Sequence, residues 1–314
     1  MRVMRTDLRE ALRGLRAGKG ATALAFAILT LTLAAGTVTF SVVDAVALRP
    51  LPYPASDRLL AIAHRTGPDG SLAGTAPQDY FSWREGARSF TGLAGAWGGG
   101  VARLEVNGTP AELVSLRATA NLFDVLDVKP VLGRTFRPDE ETPGRDGVVI
   151  LAHSAWTRAF GADPNVIGRR VALTQFQEQT TYEIIGVLPP GITFPVAAGE
   201  PVELFRPYVT TAAERDHATG GRSYGLHVVG RLRPGVTLEQ ARADVERVDA
   251  AARAAYPNNA LVGIGTVVLT LHDQVVGPAK SWLLLVLAAG GFVVLVGCVN
   301  AASLLLARAT LRGR

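Results

Sequence analysis

Ser281-Trp-Leu-Leu-Leu-Val-Leu-Ala-Ala-Gly-Gly-Phe-Val-Val-Leu-Val-Gly-Cys-Val-Asn-Ala-Ala-Ser-Leu-Leu-Leu-Ala307 is the stretch that decides how this chain is read. Its 27 residues contain no Asp, Glu, Lys, Arg or His and are bounded by Lys280 and Arg308. As an α-helix it measures about 40 Å at ~1.5 Å per residue, longer than the roughly 30 Å of bilayer hydrocarbon. A soluble helix of this length would carry a charged face. This one has none, and the sequence predicts a membrane span.

A second apolar run, Gly20 to Val43, holds 24 residues without a charge. Ala45-Val46-Ala47 has the small-x-small form of a signal-peptide cleavage site, but the run is far longer than the roughly 7–15 apolar residues of such a signal. An uncleaved first span is therefore expected over 20–43, with the second over 281–307. Between them lies an outside domain, 44–280.

With 48% hydrophobic and 19% charged residues, the 314-residue chain can bury a large core, which excludes disorder as its main state. A pI near 9.7 would ordinarily raise the question of nucleic acid. The charge map answers it: Met1–Lys19 carries +4, Asp44–Lys280 carries −2 and Ala301–Arg314 carries +3. The excess sits beside the two apolar runs, so no nucleic-acid partner is expected and the positive-inside rule places both termini in the cytoplasm.

Residues 1–19 are expected to form a cytoplasmic amphipathic helix on membrane lipid. Asp7 and Glu10 have capping-box spacing, and Leu8, Leu12 and Leu15 take a different face from Arg5, Arg9, Arg13 and Arg16. Gly14-Leu-Arg-Ala-Gly-Lys-Gly20 has too few residues before its Gly-Lys, and no Ser or Thr after it, for a phosphate loop.

Within the first span Ala23, Ala27, Thr30, Ala34, Thr37 and Ser41 recur at steps of three and four, and the second span has Gly290, Gly297 and Ala301 with Asn300 beside them. Small residues let helix backbones approach closely in lipid, and a bilayer Asn is costly unless it finds a hydrogen bond. Thr30, Ala34, Thr37, Gly290, Gly297, Asn300 and Ala301 are thus the candidate helix-packing residues. Simple bundle packing and a substrate-lining role both fit them.

The outside domain reads as α+β. Strands are expected over Val101–Val106 and Ala111–Ala118, joined through Asn107-Gly108, and over Val148–Leu151, Arg170–Thr174, Thr181–Val187, Leu226–Leu232 and Val262–Leu271. Helices are expected over Asn121–Leu126, over Ser154–Phe160 with Ser154 as its N-cap, and from a Thr237/Gln240 capping box to about Tyr256. Leu238, Ala241, Val245, Val248 and Ala252 form the buried stripe of that last helix.

Chemistry-bearing motifs are sparse. His64, His153, His217, His227 and His272 have no metal-ligand spacing, and surface or capping roles are expected for them. The one cysteine, Cys298, lies in the second span. Ser154 lacks the flanking glycines of a nucleophile elbow. Asn107-Gly-Thr109 matches a glycosylation sequon but also suits a turn. No catalytic, metal or cofactor-binding residue is assigned.

Thr6-Asp-Leu-Arg-Glu-Ala-Leu-Arg-Gly-Leu-Arg16 and Phe40-Ser-Val-Val-Asp-Ala-Val-Ala-Leu-Arg-Pro-Leu-Pro-Tyr-Pro54 resemble the start of a MacB-like/FtsX-like ABC transporter permease, in particular the duplicated orphan permeases. Phe81–Arg84, Ser89-Phe90, Asn121–Leu126, Leu132–Phe136, Trp156–Gly161, Ile167–Arg169, Gly186–Gly191, Val229–Gly235 and Asn300–Arg308 continue the resemblance in order.

That resemblance implies that 44–280 is a MacB-like periplasmic core domain of two α+β subdomains, one built from the domain's ends and one from its middle, roughly Asp139–Arg222. It also implies a non-enzymatic permease of the bacterial inner membrane for export, efflux or mechanotransmission. The implied partners are a cytoplasmic ABC ATPase in trans, another permease half or a second copy, and, as a further candidate, a periplasmic protein. Residues 308–314 would be a cytoplasmic tail opening a truncated FtsX-like region, the chain being a fragment, a split product or a decayed one. The competing reading is a two-span sensor or binding protein without transport.

Overall fold

The computed structural model describes residues 19–312 except 45–46, 48, 67–70, 107–108, 176–177, 193, 195–200, 219–222 and 260–264. It divides into two compact units, Met1–Arg49 with Val276–Arg314, and Pro50–Val275. The helix expected within 1–19 lies outside the described residues apart from Lys19.

The first unit is helical. Helix α1 runs Lys19–Val43, and the last helix of the chain runs Leu271–Arg312, its membrane-length part Ala279–Ser303. Only 11% of each apolar window is buried, which is unlike the core helix of a soluble protein. Lipid is the solvent that would accept such exposed Leu, Val and Phe surface, and the chain is a membrane protein.

The second unit is a mixed sheet with helices. In chain order its elements are β1 (Leu59–Thr66), β2 (Ser71–Ala73), α2 (Pro77–Gly86), β3 (Phe90–Val106), β4 (Thr109–Ala118), α3 (Leu122–Leu126), β5 (Leu132–Gly133), β6 (Val148–Leu151), α4 (His153–Phe160), β7 (Arg170–Gln175), β8 (Glu178–Val187), β9 (Leu204–Pro207), α5 (Ala212–Arg215), β10 (Leu226–Leu232), α6 (Leu238–Ala255) and β11 (Thr266–Thr270), after which α7 begins at Leu271. The sheet order is β11-β1-β10-β3-β4-β9-β6-β8-β5, with β2 on β1 and β7 on β3 and β8. Strands from the two ends of the domain gather on one side and those from its middle on the other. The long β3–β4 hairpin joins them.

Local chemistry explains the elements that the sequence anticipates. In α6 the Gln240 amide donates to Thr237 Oγ1 at 3.2 Å while Thr237 N donates to Gln240 Oε1 at 2.8 Å, the reciprocal cap expected. Ala241, Val245 and Val248 are buried from it together with Asp249. They join Tyr80, Trp83, Phe90, Leu93, Leu60 and Val268 in one apolar cluster. Full burial of each large side chain is worth about 1.5–3 kcal/mol. Ser89 N (2.7 Å) and Arg88 N (2.5 Å) both donate to Asp244 Oδ2, which fastens the α2–β3 connection to α6.

Three expectations are corrected. Ser154 does not cap α4: Ala152 holds the N-cap position without a side-chain bond, and Ser154 lies inside the helix. Of the strand expected over 262–271, residues 262–264 lie outside the described residues; the described strand is Thr266–Thr270, and Leu271 already belongs to a helix capped by Thr270, whose Oγ1 accepts from Asp273 N at 3.0 Å. β3 begins at Phe90, eleven residues before the expected Val101, and includes the glycine-rich run Gly98–Gly100. Gly95 serves close packing, since a Cβ there would meet Leu226 Cδ1 at 2.9 Å, whereas Gly98 has open space around it and a φ of +94°.

Candidate functional site

The membrane helices meet through small residues. A Cβ added at Gly290 would fall 2.7 Å from Thr39 Cγ2, one at Gly297 would fall 2.1 Å from Thr32 Oγ1, and one at Gly36 would fall 3.1 Å from Val294 Cγ2. The contact stripe is therefore Thr32, Gly36 and Thr39 on α1 against Gly290, Val294 and Gly297 on α7, with Ala301 buried one turn further on. Such close approach is what glycine permits in lipid, where dispersion and backbone proximity hold helices together. Thr32 Oγ1 donates to Ile28 O at 2.7 Å and Thr37 Oγ1 to Leu33 O at 2.8 Å, so both hydroxyls are satisfied within α1.

The candidate residues divide between two situations. Gly290, Gly297 and Ala301 lie on the α1–α7 contact, whereas Thr30, Ala34, Thr37 and Asn300 are exposed on other faces. Ala27, Thr30, Ala34 and Thr37 form a continuous small face that no described residue covers.

In the second unit the histidines depart from expectation. His64 and His217 are 1% and 6% exposed rather than surface groups, and both face the buried carboxylate of Asp79. His64 Nε2 lies 3.2 Å from Asp79 Oδ2, and His217 Nδ1 lies 3.8 Å from Asp79 Oδ1. Ser82 Oγ is 3.0 Å from His217 Nε2. Beside them Trp83 Nε1 donates to Asp249 Oδ1 at 2.6 Å, and His64 stacks on Trp83. Burial raises the Asp249 carboxyl above its ordinary value, and the nearby Thr266 hydroxyl and the hydrogen bond from Trp83 only partly oppose this. A buried carboxylate needs such partners, because an unpaired charge away from water is costly.

Ser82, His217 and Asp79 follow the order of a hydrolase triad, but the geometry does not complete one. The His217–Asp79 separation is too long for a hydrogen bond. Ser82 also sits inside α2, a helix whose backbone donors are engaged within it rather than aimed at a substrate oxygen. The group ties α2 to β1 and to the segment around His217. These residues lie far apart in sequence, and no spacing motif could have announced them. Among the described residues no three His, Cys, Asp or Glu side chains converge as metal ligands.

The second unit thus presents a mixed sheet in which end-derived and middle-derived strands meet, and the apolar helices flank it in the chain. The family model for the MacB-like periplasmic core domain matches residues 22–248. The chain belongs to that family. Three solved structures are similar to this MacB-like chain. The periplasmic region of MacB from Actinobacillus actinomycetemcomitans aligns over 72% of this chain and 94% of that one, at 16% identity and a TM-score of 0.49. A domain assigned to a permease protein from Porphyromonas gingivalis aligns over 69% and 90%, at 16% identity and a TM-score of 0.50. The extracellular domain of the ABC-type transporter YknZ from Gram-positive bacteria aligns over 67% and 99%, at 13% identity and a TM-score of 0.44. No curated protein matches. The resemblance drawn from the sequence motifs is thereby met by the family match, and the α+β MacB-like domain flanked by two apolar helices is the observed arrangement.

Proposed function

We propose that this chain is a non-catalytic membrane subunit of a MacB-like ABC transporter, in which a cytoplasmic ATPase supplied by another chain works on the extracytoplasmic domain for export, efflux or mechanotransmission. The observation that carries the reading is the family match from residue 22 to 248, in a chain whose domain stands between two apolar helices. The cytoplasmic placement of both termini belongs to the same proposal and rests on the charge map. So does the division at residues 19/20, 43/44, 280/281 and 307/308.

The small face Ala27–Thr30–Ala34–Thr37 and the exposed Asn300 amide support association with further helices, from another permease half or a second copy. An exposed Asn in hydrocarbon is costly until another helix supplies a hydrogen-bond partner. Crosslinking in native membranes, followed by recovery through a tag after Arg314, tests the assembly. Recovery of an ABC ATPase and a second permease chain is the expected result. A monomer recovered without an ATPase under mild detergent would overturn it and favour the two-span sensor.

A further inference from the structure

On the sheet, Trp97 of β3 pairs in register with Arg117 of β4, and Arg117 with Arg206 of β9. Register partners share a face of the sheet, so two guanidinium groups stand directly opposite on neighbouring strands, an arrangement that by itself is destabilising. Among the described residues, neither donates a hydrogen bond to a carboxylate. Arg206 is spent on neutral groups: Nε donates to Ser115 Oγ at 3.1 Å, Nη1 to Tyr182 Oη at 3.3 Å and Nη2 to Gln175 Oε1, with Cζ 5.8 Å from the Tyr182 ring centroid.

Arg117 is exposed and, among the described residues, makes no hydrogen bond or ion pair. Its Cζ lies 5.9 Å from the centroids of both Trp97 and Tyr208, whose rings stack 6.1 Å apart at 15°. Partial desolvation of the guanidinium against these rings lowers its pKa and the like charge of Arg206 adds to that, with Tyr208 and Glu214 opposing it. Glu214 offsets part of the Arg117 charge without contacting it, its Oε2 accepting from Thr211 N at 2.7 Å and Thr211 Oγ1 at 3.1 Å in a helix cap. Gly225 keeps the Trp97 ring in place, since a Cβ there would come 2.9 Å from Trp97 Cζ2.

An arginine fork resting beside two aromatic rings, next to a second guanidinium that donates only to neutral groups, matches the planar demands of an oxyanion. We propose that Arg117 and Arg206 form a binding site for a small molecule bearing a carboxylate or phosphate, with Arg117 as the contacting fork and the body of the ligand lying against the half-buried Trp97, which the buried Tyr208 backs from the other side. Arg206 acts as the second positive charge, fixed by Ser115, Tyr182 and Gln175. The like charge of Arg206 beside Arg117, only partly offset by Glu214, is what a bound anion would relieve.

The test uses the full-length chain in detergent with three probes, glucuronate, inorganic phosphate and neutral glucose, each titrated to about 10 mM by calorimetry and read in parallel as a shift of the melting midpoint. Glucuronate should bind and raise the midpoint, glucose should do neither, and phosphate binding alone would identify the phosphate form of the same site. Arg117→Gln should weaken anion binding about tenfold or more, the scale of one charge-assisted hydrogen bond. Arg117→Lys, which keeps the charge but not the fork, should fall between. Because Arg117 is exposed and Arg117→Gln removes one of two like charges, the variant should melt no lower than the wild type without ligand. Should it unfold instead, Trp97→Leu provides the second arm, with selective weakening of glucuronate binding expected. Absence of binding by both anions to the wild type, or equal binding by wild type and Arg117→Gln, overturns the proposal.

Discussion

Thr32 stands directly against Gly297: a single carbon added to the glycine would come within 2.1 Å of Thr32 Oγ1 and 2.9 Å of its Cβ. Thr32 cannot swing aside cheaply. It is β-branched and its hydroxyl is bonded to Ile28 O. Gly297→Leu should therefore separate α1 from α7. Cysteines at Gly36 and Val294, placed in a Cys298→Ala background with a protease site inserted at residues 219–222, should hold the two halves together after cleavage until reduced. That linkage should vanish with Gly297→Leu and persist with Gly291→Leu, whose added carbon meets nothing within 4 Å. Equal linkage in both variants would contradict this helix pairing.

Asp249 supplies a pH-dependent prediction. Its folded pKa lies above the ordinary 3.8 because burial disfavours the charged form, with Asp79 adding to the rise and Thr266, Trp83 and His64 opposing it. For a raised carboxyl, stability is fully present below the ordinary value and is lost as pH rises through the folded one. The carboxyl therefore contributes less stability at pH 7 than near pH 4. Asp249→Asn keeps an oxygen for Trp83 Nε1 and carries no charge, so its melting midpoint should exceed that of the wild type at pH 7. The difference should be about 2–4 °C for each kcal/mol relieved, shrinking as pH falls toward 4. A midpoint lower than wild type at pH 7 would show that the carboxylate charge is stabilising.

Where local rules govern, the fold was legible in the sequence. Leu226–Leu232 and Val148–Leu151 are found at the expected bounds because alternation and apolar runs report burial directly. The Thr237/Gln240 cap is a contact between residues three apart. The early half of β3 is not legible in the same way, because glycine is a poor strand former and its glycines answer to partners far away, such as Leu226 against Gly95. The same holds for Asp79, whose two histidines come from positions 64 and 217. In α1, reading by side-chain size finds Ala27, Thr30, Ala34 and Thr37, whereas Thr32, Gly36 and Thr39 turn toward α7. Small residues occupy both faces, so size alone could not rank them.

Topology can be tested without any assay of transport. Net charges of +4 and +3 at the chain ends against −2 between them motivate cytoplasmic termini. With Cys298→Ala, a cysteine at Ala17 should resist a membrane-impermeant thiol reagent on intact cells, while one at Gly221 should react. Reaction at Ala17 would reverse the orientation.

The exposed face of α1 yields the last prediction. Ala27, Thr30, Ala34 and Thr37 are turned away from α7, and a bilayer gives no hydrophobic reward for keeping such a face small. Close approach by another helix would explain its size. Ala34→Leu together with Thr37→Leu adds bulk where a partner helix should lie, while leaving the Thr32–Gly297 contact untouched. Intermolecular crosslinking in native membranes should therefore drop about tenfold, the change produced by association weakened by some 1.4 kcal/mol, and the cysteine pair at 36 and 294 should still link. Val286→Leu, on an exposed α7 position 43% accessible, should leave both signals unchanged. If the double substitution spares the intermolecular crosslink, the partner docks elsewhere, and the exposed Asn300 becomes the position to probe by Asn300→Leu.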